Sequence, residues 1–292
     1  MPGFTRLVLW RALAFAALAL LWPGIAAAAV IGPSDGWQPL RSGARALGIS
    51  DRMVQRILAA GVGMTCPGTV HKNGGALNGW FLGGDTGSFY TNAHGVIDLG
   101  ADRRADFIEP LDKCVVQSWR DLLRQGAGAP TYGLRLPANR HELALASFDP
   151  GRDSPTADRA RLTLAGPVAG AEALDLPDLA RLPIAIGEEL IMVSLAPPAM
   201  RQPEIQACHI RGVDLSGGGP GRLLSDCDNS FGNSAALYFV RDPASPGMLV
   251  PIALHEGCYE KLGPGKGWNR DSNTAVAILL RRSFFSFAHR RL

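Results

Sequence analysis

SAALYFV (234–240) and MLVPIALH (248–255) are two apolar runs of strand length, parted by RDPASPG (241–247), a stretch built of residues that turns favour. The same texture recurs on either side of them. GWFL (79–82), SFYTNA (88–93), KCVVQSW (113–119), ELALASF (142–148), ARLTLAG (160–166) and ELIMVSL (189–195) come before, and TAVAILL (274–280) follows. Gly, Pro, Asp or Asn separates most of these runs, and many short strands with polar loops predict an all-β barrel or sandwich. Short helices are expected at the two ends. Ser50 is placed to cap a short helix through Ala60, with Met53, Val54, Ile57 and Leu58 as its apolar stripe. RRSFFSFAHRRL (281–292) reads as a short basic helix that packs Phe284, Phe285 and Phe287 inward. DPGRDSPTAD (149–158) has no apolar residue beyond Ala and Pro and reads as an exposed linker between two halves.

Composition limits what such a chain can be. Of 292 residues 47% are hydrophobic and 19% charged, too apolar for a disordered protein and enough for one large core or two small ones. With 35 Gly and 21 Pro the chain is rich in turns, which is unlike a helical bundle. Residues 1–29 read as a secretory signal. Arg6 and Arg11 give a positive start, Ala12 to Trp22 form a short apolar run, Pro23-Gly24 break it, and Ala27-Ala28-Ala29 offer a cleavage site. The run is short for a spanning helix, which needs ~20 residues, so no stable membrane association is expected after the signal is removed. Without Arg6 and Arg11, 27 of the 29 basic residues remain against 26 acidic ones, a balance that argues against nucleic-acid binding. A secreted or periplasmic protein is expected.

The five cysteines (66, 114, 208, 227 and 258) all follow the signal, and an oxidising compartment permits pairing. No Cys-x-x-Cys is present, so a metal cluster is not expected. Cys208 with Cys227, across the Gly-rich SGGGPG (216–221), is the first expected pair and Cys66 with Cys114 the second. A rival pairing of Cys227 with Cys258 stays open.

Two segments place reactive residues at strand ends beside small ones: Thr91-Asn92-Ala93-His94-Gly95, and Asp226 to Ala236 (DCDNSFGNSAA). His94 in a T-x-A-H setting, an acid opening ELALASF, and Gly232-Asn233-Ser234 resemble the chymotrypsin-like serine peptidases, whose chain order is also His, acid, Ser. The resemblance is closest to exported bacterial members with a G-N-S nucleophile turn. It implies two six-stranded antiparallel β-barrels with the site between them. Residues 62–150 would form the first barrel and 151–292 the second with the C-terminal helix, after an N-terminal extension over 30–61. It also implies a polypeptide substrate, acyl-enzyme chemistry and no cofactor. Ser234 would be the nucleophile and His94 its base, with Glu142 at the aligned position of the acid; the N–H groups of Gly232 and Ser234 would form the oxyanion hole.

Three features depart from the family pattern: Glu142 stands where Asp is usual, Ala235-Ala236 follow Ser234 where Gly is usual, and residue 233 is Asn. An inactive relative acting as a binding module is the alternative that Ala235, Ala236 and Glu142 favour, and an esterase would differ only in leaving group. His255 lies where the glutamyl-endopeptidase group places a ligand for acidic side chains, and reads equally as an ordinary strand-end residue. Asp228, six residues before Ser234, has the spacing of the trypsin specificity Asp. His141-Glu142 begins like HExxH, but Leu145 replaces the second ligand, so no zinc site follows.

Overall fold

The computed structural model describes residues 31, 36–66, 75–99, 105–107, 114–134, 142–144, 158–176, 178–182, 184–195, 202–215, 221–229, 232–260, 267–270 and 273–285. The expected signal, most of the expected linker, and Phe287 lie outside them. A two-residue strand β1 (Gln38–Pro39) leads into helices α1 (Leu40–Ala46) and α2 (Asp51–Ala60). The Ser50 hydroxyl accepts from the Met53 N–H at 3.3 Å, capping α2, and Met53, Val54, Ile57 and Leu58 are all buried along its inner face.

Next come β2 (Gly61–Cys66), β3 (Gly75–Trp80), β4 (Ser88–Thr91), β5 (Ile97–Leu99), β6 (Ala105–Phe107) and β7 (Val115–Ser118). Helix α3 (Trp119–Gln125), β8 (Tyr132–Gly133), β9 (Glu142–Ala144) and β10 (Arg159–Thr163) complete the first half. Its main sheet runs β8-β7-β2-β3-β4-β10-β9, antiparallel throughout. A bridge between Leu134 and Leu164 curls the β8 end back toward β10. The second half comprises β11 (Glu189–Leu195), β12 (Pro203–Asp214), β13 (Arg222–Ser225), β14 (Leu237–Arg241), β15 (Leu249–Glu260) and β16 (Asn273–Leu279). Strands β12-β11-β14-β15-β16-β13 form a closed barrel, because β13 pairs back with β12 on the edge away from β11; β1 pairs with the start of β12 along that same edge. The fold is therefore all-β, a closed six-stranded barrel beside a half-barrel, which agrees with the expected two-barrel layout. Its first barrel is a curled seven-stranded sheet where six strands were expected. The first sheet also runs to Thr163, past the expected boundary at 150, because β10 pairs with both β4 and β9.

Three cores hold this together. Phe81, Phe89, Val62 and Leu162 fill the first barrel, and Leu190, Met192, Tyr238 and Ile252 fill the second. The third lies between them and takes Trp80 and Tyr90 from the first sheet, Ile191, Val193 and Phe239 from the second, and the apolar stripe of α2. Strands β11 and β14 bury one face in the barrel and the other in this shared core. That is why ELIMVSL and ALYFV read as unbroken apolar runs instead of alternating ones. The C-terminal segment joins the shared core: Phe284, on a short 3-10 helix (Arg282–Phe285) at the start of the expected C-terminal helix, packs on Tyr90 with ring centroids 5.7 Å apart.

Cysteine pairing follows the first expectation in the second barrel, where Cys208 and Cys227 are joined. Cys114 is also disulfide-bonded. The side chain of its expected partner, Cys66, is outside the described residues. Cys258 lies on β15 and is not in a disulfide. Among the described residues no helix is long and apolar enough to cross a membrane.

Candidate active site

The sheet register brings a histidine, an acid and a serine together. His94 sits on a 3-10 turn (Ala93–Gly95) directly after β4. Because Ala160 of β10 pairs with Thr91 of β4, antiparallel continuation of the ladder sets Asp158 beside the start of that turn. The Asn92 side-chain amide secures the approach by donating to the Asp158 carbonyl at 2.8 Å. One Asp158 carboxylate oxygen then accepts the His94 backbone N–H at 2.9 Å, and the other meets His94 Nδ1 at 2.6 Å. On its other side, His94 Nε2 lies 2.9 Å from the Ser234 Oγ. The result is a continuous hydrogen-bonded chain from Ser234 to His94 to Asp158.

The acid at Nδ1 is thus Asp158, not the expected Glu142. Glu142 is on β9, paired with Arg161 of β10, and β10 separates it from the strand that carries His94. With strands about 4.8 Å apart, that is two strand spacings from β4. Nothing in the sequence singles out Asp158, which ends the stretch that reads as a linker; the pairing of β10 with β4 is what brings it to His94.

Electrostatics suit a base. Burial pulls the His94 pKa down, but the Asp158 charge and hydrogen bond, with a smaller contribution from the Glu256 charge, outweigh it and leave it above the usual histidine value. Glu256 occupies the bulge of β15 and lies 3.7 Å from Arg222.

Ser234 stands in a tight turn. The Asn233 carbonyl accepts from the Ala236 N–H at 2.7 Å, making Ser234 and Ala235 the central residues of a β-turn. Ala235 has φ +60°, the positive value that the third residue of a type II turn needs and that Gly usually supplies. Gly232 enters the turn at φ +97°. Since N–H and C=O are antiparallel across a trans peptide, the Ser234 N–H points away from the side where the Asn233 carbonyl is engaged. The Gly232 N–H belongs to a peptide shared with residue 231, which is outside the described residues.

The two expected substrate-binding residues are placed otherwise. Asp228 is buried, and its carboxylate accepts the backbone N–H groups of Ile31 at 2.6 Å and Gly36 at 2.9 Å. It is directed at the N-terminal segment. Gln206 clasps the Asp228 backbone from both sides, at 3.0 and 2.6 Å. His255 is buried behind the turn that carries Ser234. Its N–H donates to the Ala236 carbonyl at 2.8 Å, and its carbonyl accepts from the Ala235 N–H at 3.1 Å. Its Nδ1 lies 3.0 Å from the Tyr238 hydroxyl. Burial, with the nearby His94 charge, lowers its pKa to about 3, so the imidazole is uncharged and offers an acidic side chain no positive charge. His209 is half-exposed and lies 3.7 Å from Asp226. Among the described residues no group of three or more His, Cys, Asp or Glu is placed to hold a metal ion.

No protein-family model and no curated protein sequence matches the chain. Solved structures do: one is the Rv3671c protease from M. tuberculosis in its active form, with 14% sequence identity, a TM-score of 0.47, and coverage of 88% of this chain and 87% of that one.

Proposed function

We propose that the chain is an exported serine endopeptidase that works through Ser234, His94 and Asp158. The observation that carries this reading is the hydrogen-bonded chain of 2.9 and 2.6 Å from the Ser234 hydroxyl through the imidazole to a buried carboxylate. His94 Nε2 takes the hydroxyl proton as the oxygen attacks a peptide carbonyl, and the acyl-enzyme forms as the proton passes to the leaving amine. Water then releases the acyl group by the same route. Asp158 holds the ring in the tautomer with the proton on Nδ1 and stabilises the imidazolium, without itself taking the proton. The N–H groups of Ser234 and Gly232 serve as oxyanion donors, each worth about 2.7–4 kcal/mol in the transition state. Residues 1–29 act as the export signal in this reading.

Reaction of the folded protein with a fluorophosphonate probe, followed by mapping of the labelled peptide, tests the assignment. Labelling at Ser234 that Ser234→Ala and His94→Ala abolish, together with digestion of unfolded polypeptide, is the expected result. A folded protein that takes no label is a binding module instead. One that takes label and cleaves only small esters is an esterase.

A further inference from the structure

We infer that Asn78 and Trp80 of β3 form a clamp, supplied by the first barrel, that holds the nucleophile turn of the second barrel in its working shape. The inference rests on the peptidase reading of Ser234. Asn78 is fully buried. Its Oδ1 accepts the Leu195 N–H at 2.8 Å, which fixes the orientation of the amide. Its Nδ2 is shared among the Gly232 carbonyl at 3.0 Å, the Ser234 carbonyl at 2.9 Å and the Ser194 hydroxyl at 3.1 Å. The Asn78 backbone N–H adds a bond to the Ser234 carbonyl at 3.2 Å. Two residues on, and so on the same face of the strand, Trp80 Nε1 donates to the Ala235 carbonyl at 2.7 Å.

Every carbonyl from 232 to 235 is therefore bound: three by β3, and that of Asn233 within the turn. This answers a problem that the sequence poses. Ala235 at φ +60° is a conformation an L-residue resists, and a turn carrying Ala there relaxes unless its surroundings hold it. Donors fixed to β3 hold the peptides on either side of the 233–234 peptide, whose own carbonyl is bonded to the Ala236 N–H and whose Ser234 N–H points the opposite way. Asn78 and Trp80 touch no reacting atom; they are positioning residues that act through Ser234 and Ala235.

The experiment is steady-state hydrolysis of one peptide substrate by the parent, Asn78→Ala, Trp80→Phe, Ala235→Gly and the doubles Asn78→Ala/Ala235→Gly and Trp80→Phe/Ala235→Gly. Each rate is normalised to the folded fraction from circular dichroism. The expected result for Asn78→Ala is a kcat lower by about a hundredfold, the scale of losing an oxyanion donor, with KM within about twofold. Adding Ala235→Gly, which removes the cost of positive φ, is expected to recover roughly tenfold of that loss. A role in stability alone gives no such rescue. Trp80→Phe keeps an aromatic ring, though a smaller one, and removes the donor; it is expected to lose roughly tenfold in kcat, again recovered by Ala235→Gly, and it decides the matter if Asn78→Ala does not fold. An active parent whose folded variants keep its kcat, or whose losses Ala235→Gly leaves unchanged, overturns the clamp alone. A parent that neither hydrolyses peptide nor takes a fluorophosphonate label overturns the peptidase reading, and the clamp with it.

Discussion

In the proposed mechanism His94 serves as a base only when its ring is neutral, so the environment that raises its pKa sets the lower edge of activity. The rate is expected to climb with pH through a midpoint above 6.5, in a kcat/KM profile measured on one substrate. Asp158→Asn should move that midpoint down and lower kcat by about 10⁴, since an amide presents the wrong hydrogen-bond pattern to Nδ1. Glu142→Gln, two strands away, is expected to leave kcat unchanged; equal losses in the two variants would refute the assignment of the acid. His255 behaves in the opposite sense. Its folded-state pKa is lowered to about 3, whereas in the unfolded chain it titrates near 6.5, so the unfolded state binds more protons in between. Stability is thus lost as pH falls through this window, by about 1.4 kcal/mol per pH unit from this one group. His94, whose pKa is raised, contributes its slope chiefly above 6.5 and with the opposite sign. Thermal melts from pH 7 to pH 4.5 check this: His255→Gln should flatten the acid-side decline by one proton, and an unchanged slope would rule it out.

The elements show how much of this was legible in advance. Runs whose two faces are both buried, such as ELIMVSL, announce themselves, and most of the strands expected from such runs are present. The twelve-residue β12 was missed. Along it the buried and exposed faces alternate, but Gln206 points inward because it clasps Asp228, and a buried Gln hides the apolar rhythm. The nucleophile turn and the histidine turn were legible because small residues crowd around each. Asp158 was not, because only the β4–β10 register distinguishes it from the other acids of its segment. Asp228 was mistaken for a specificity residue because spacing alone does not say which way a carboxylate faces. Its true surroundings make a prediction about the N-terminal segment. Each backbone bond to a charged partner is worth about 1.5–3 kcal/mol, so Asp228→Ala should release the strand β1 end of the chain and destabilise the fold by a similar amount. Limited proteolysis near residues 31–38, compared with the parent, reads this out. An unchanged cleavage pattern would mean that the two bonds do not hold the segment.

At the scale of the molecule, the candidate site exists only where the halves meet: the first sheet supplies His94 and Asp158, the second barrel Ser234, and the 2.9 Å bond between His94 and Ser234 joins the two. Such a site needs the two barrels to keep their spacing, and the shared core is what sets it. Trp80 packs edge-on against Trp119 of α3 at 4.6 Å and against Phe239 of β14 at 6.2 Å, so aromatic rings from both halves form one fully buried group. Neither barrel can unfold without exposing its side of that group to water. The molecule is therefore expected to unfold in one cooperative transition, with calorimetric and van't Hoff enthalpies equal. Phe239→Ala tests the coupling from the second barrel. Truncating a buried Phe costs about 3–5 kcal/mol, and here the loss should reach amides that the mutation does not touch. Hydrogen exchange in β2 of the first sheet should accelerate as much as exchange in β14, where the cavity lies, because both report the same global opening. Fast exchange confined to the second barrel, or two resolved calorimetric transitions, would show that the halves fold separately and that the shared core aligns the site without stabilising it.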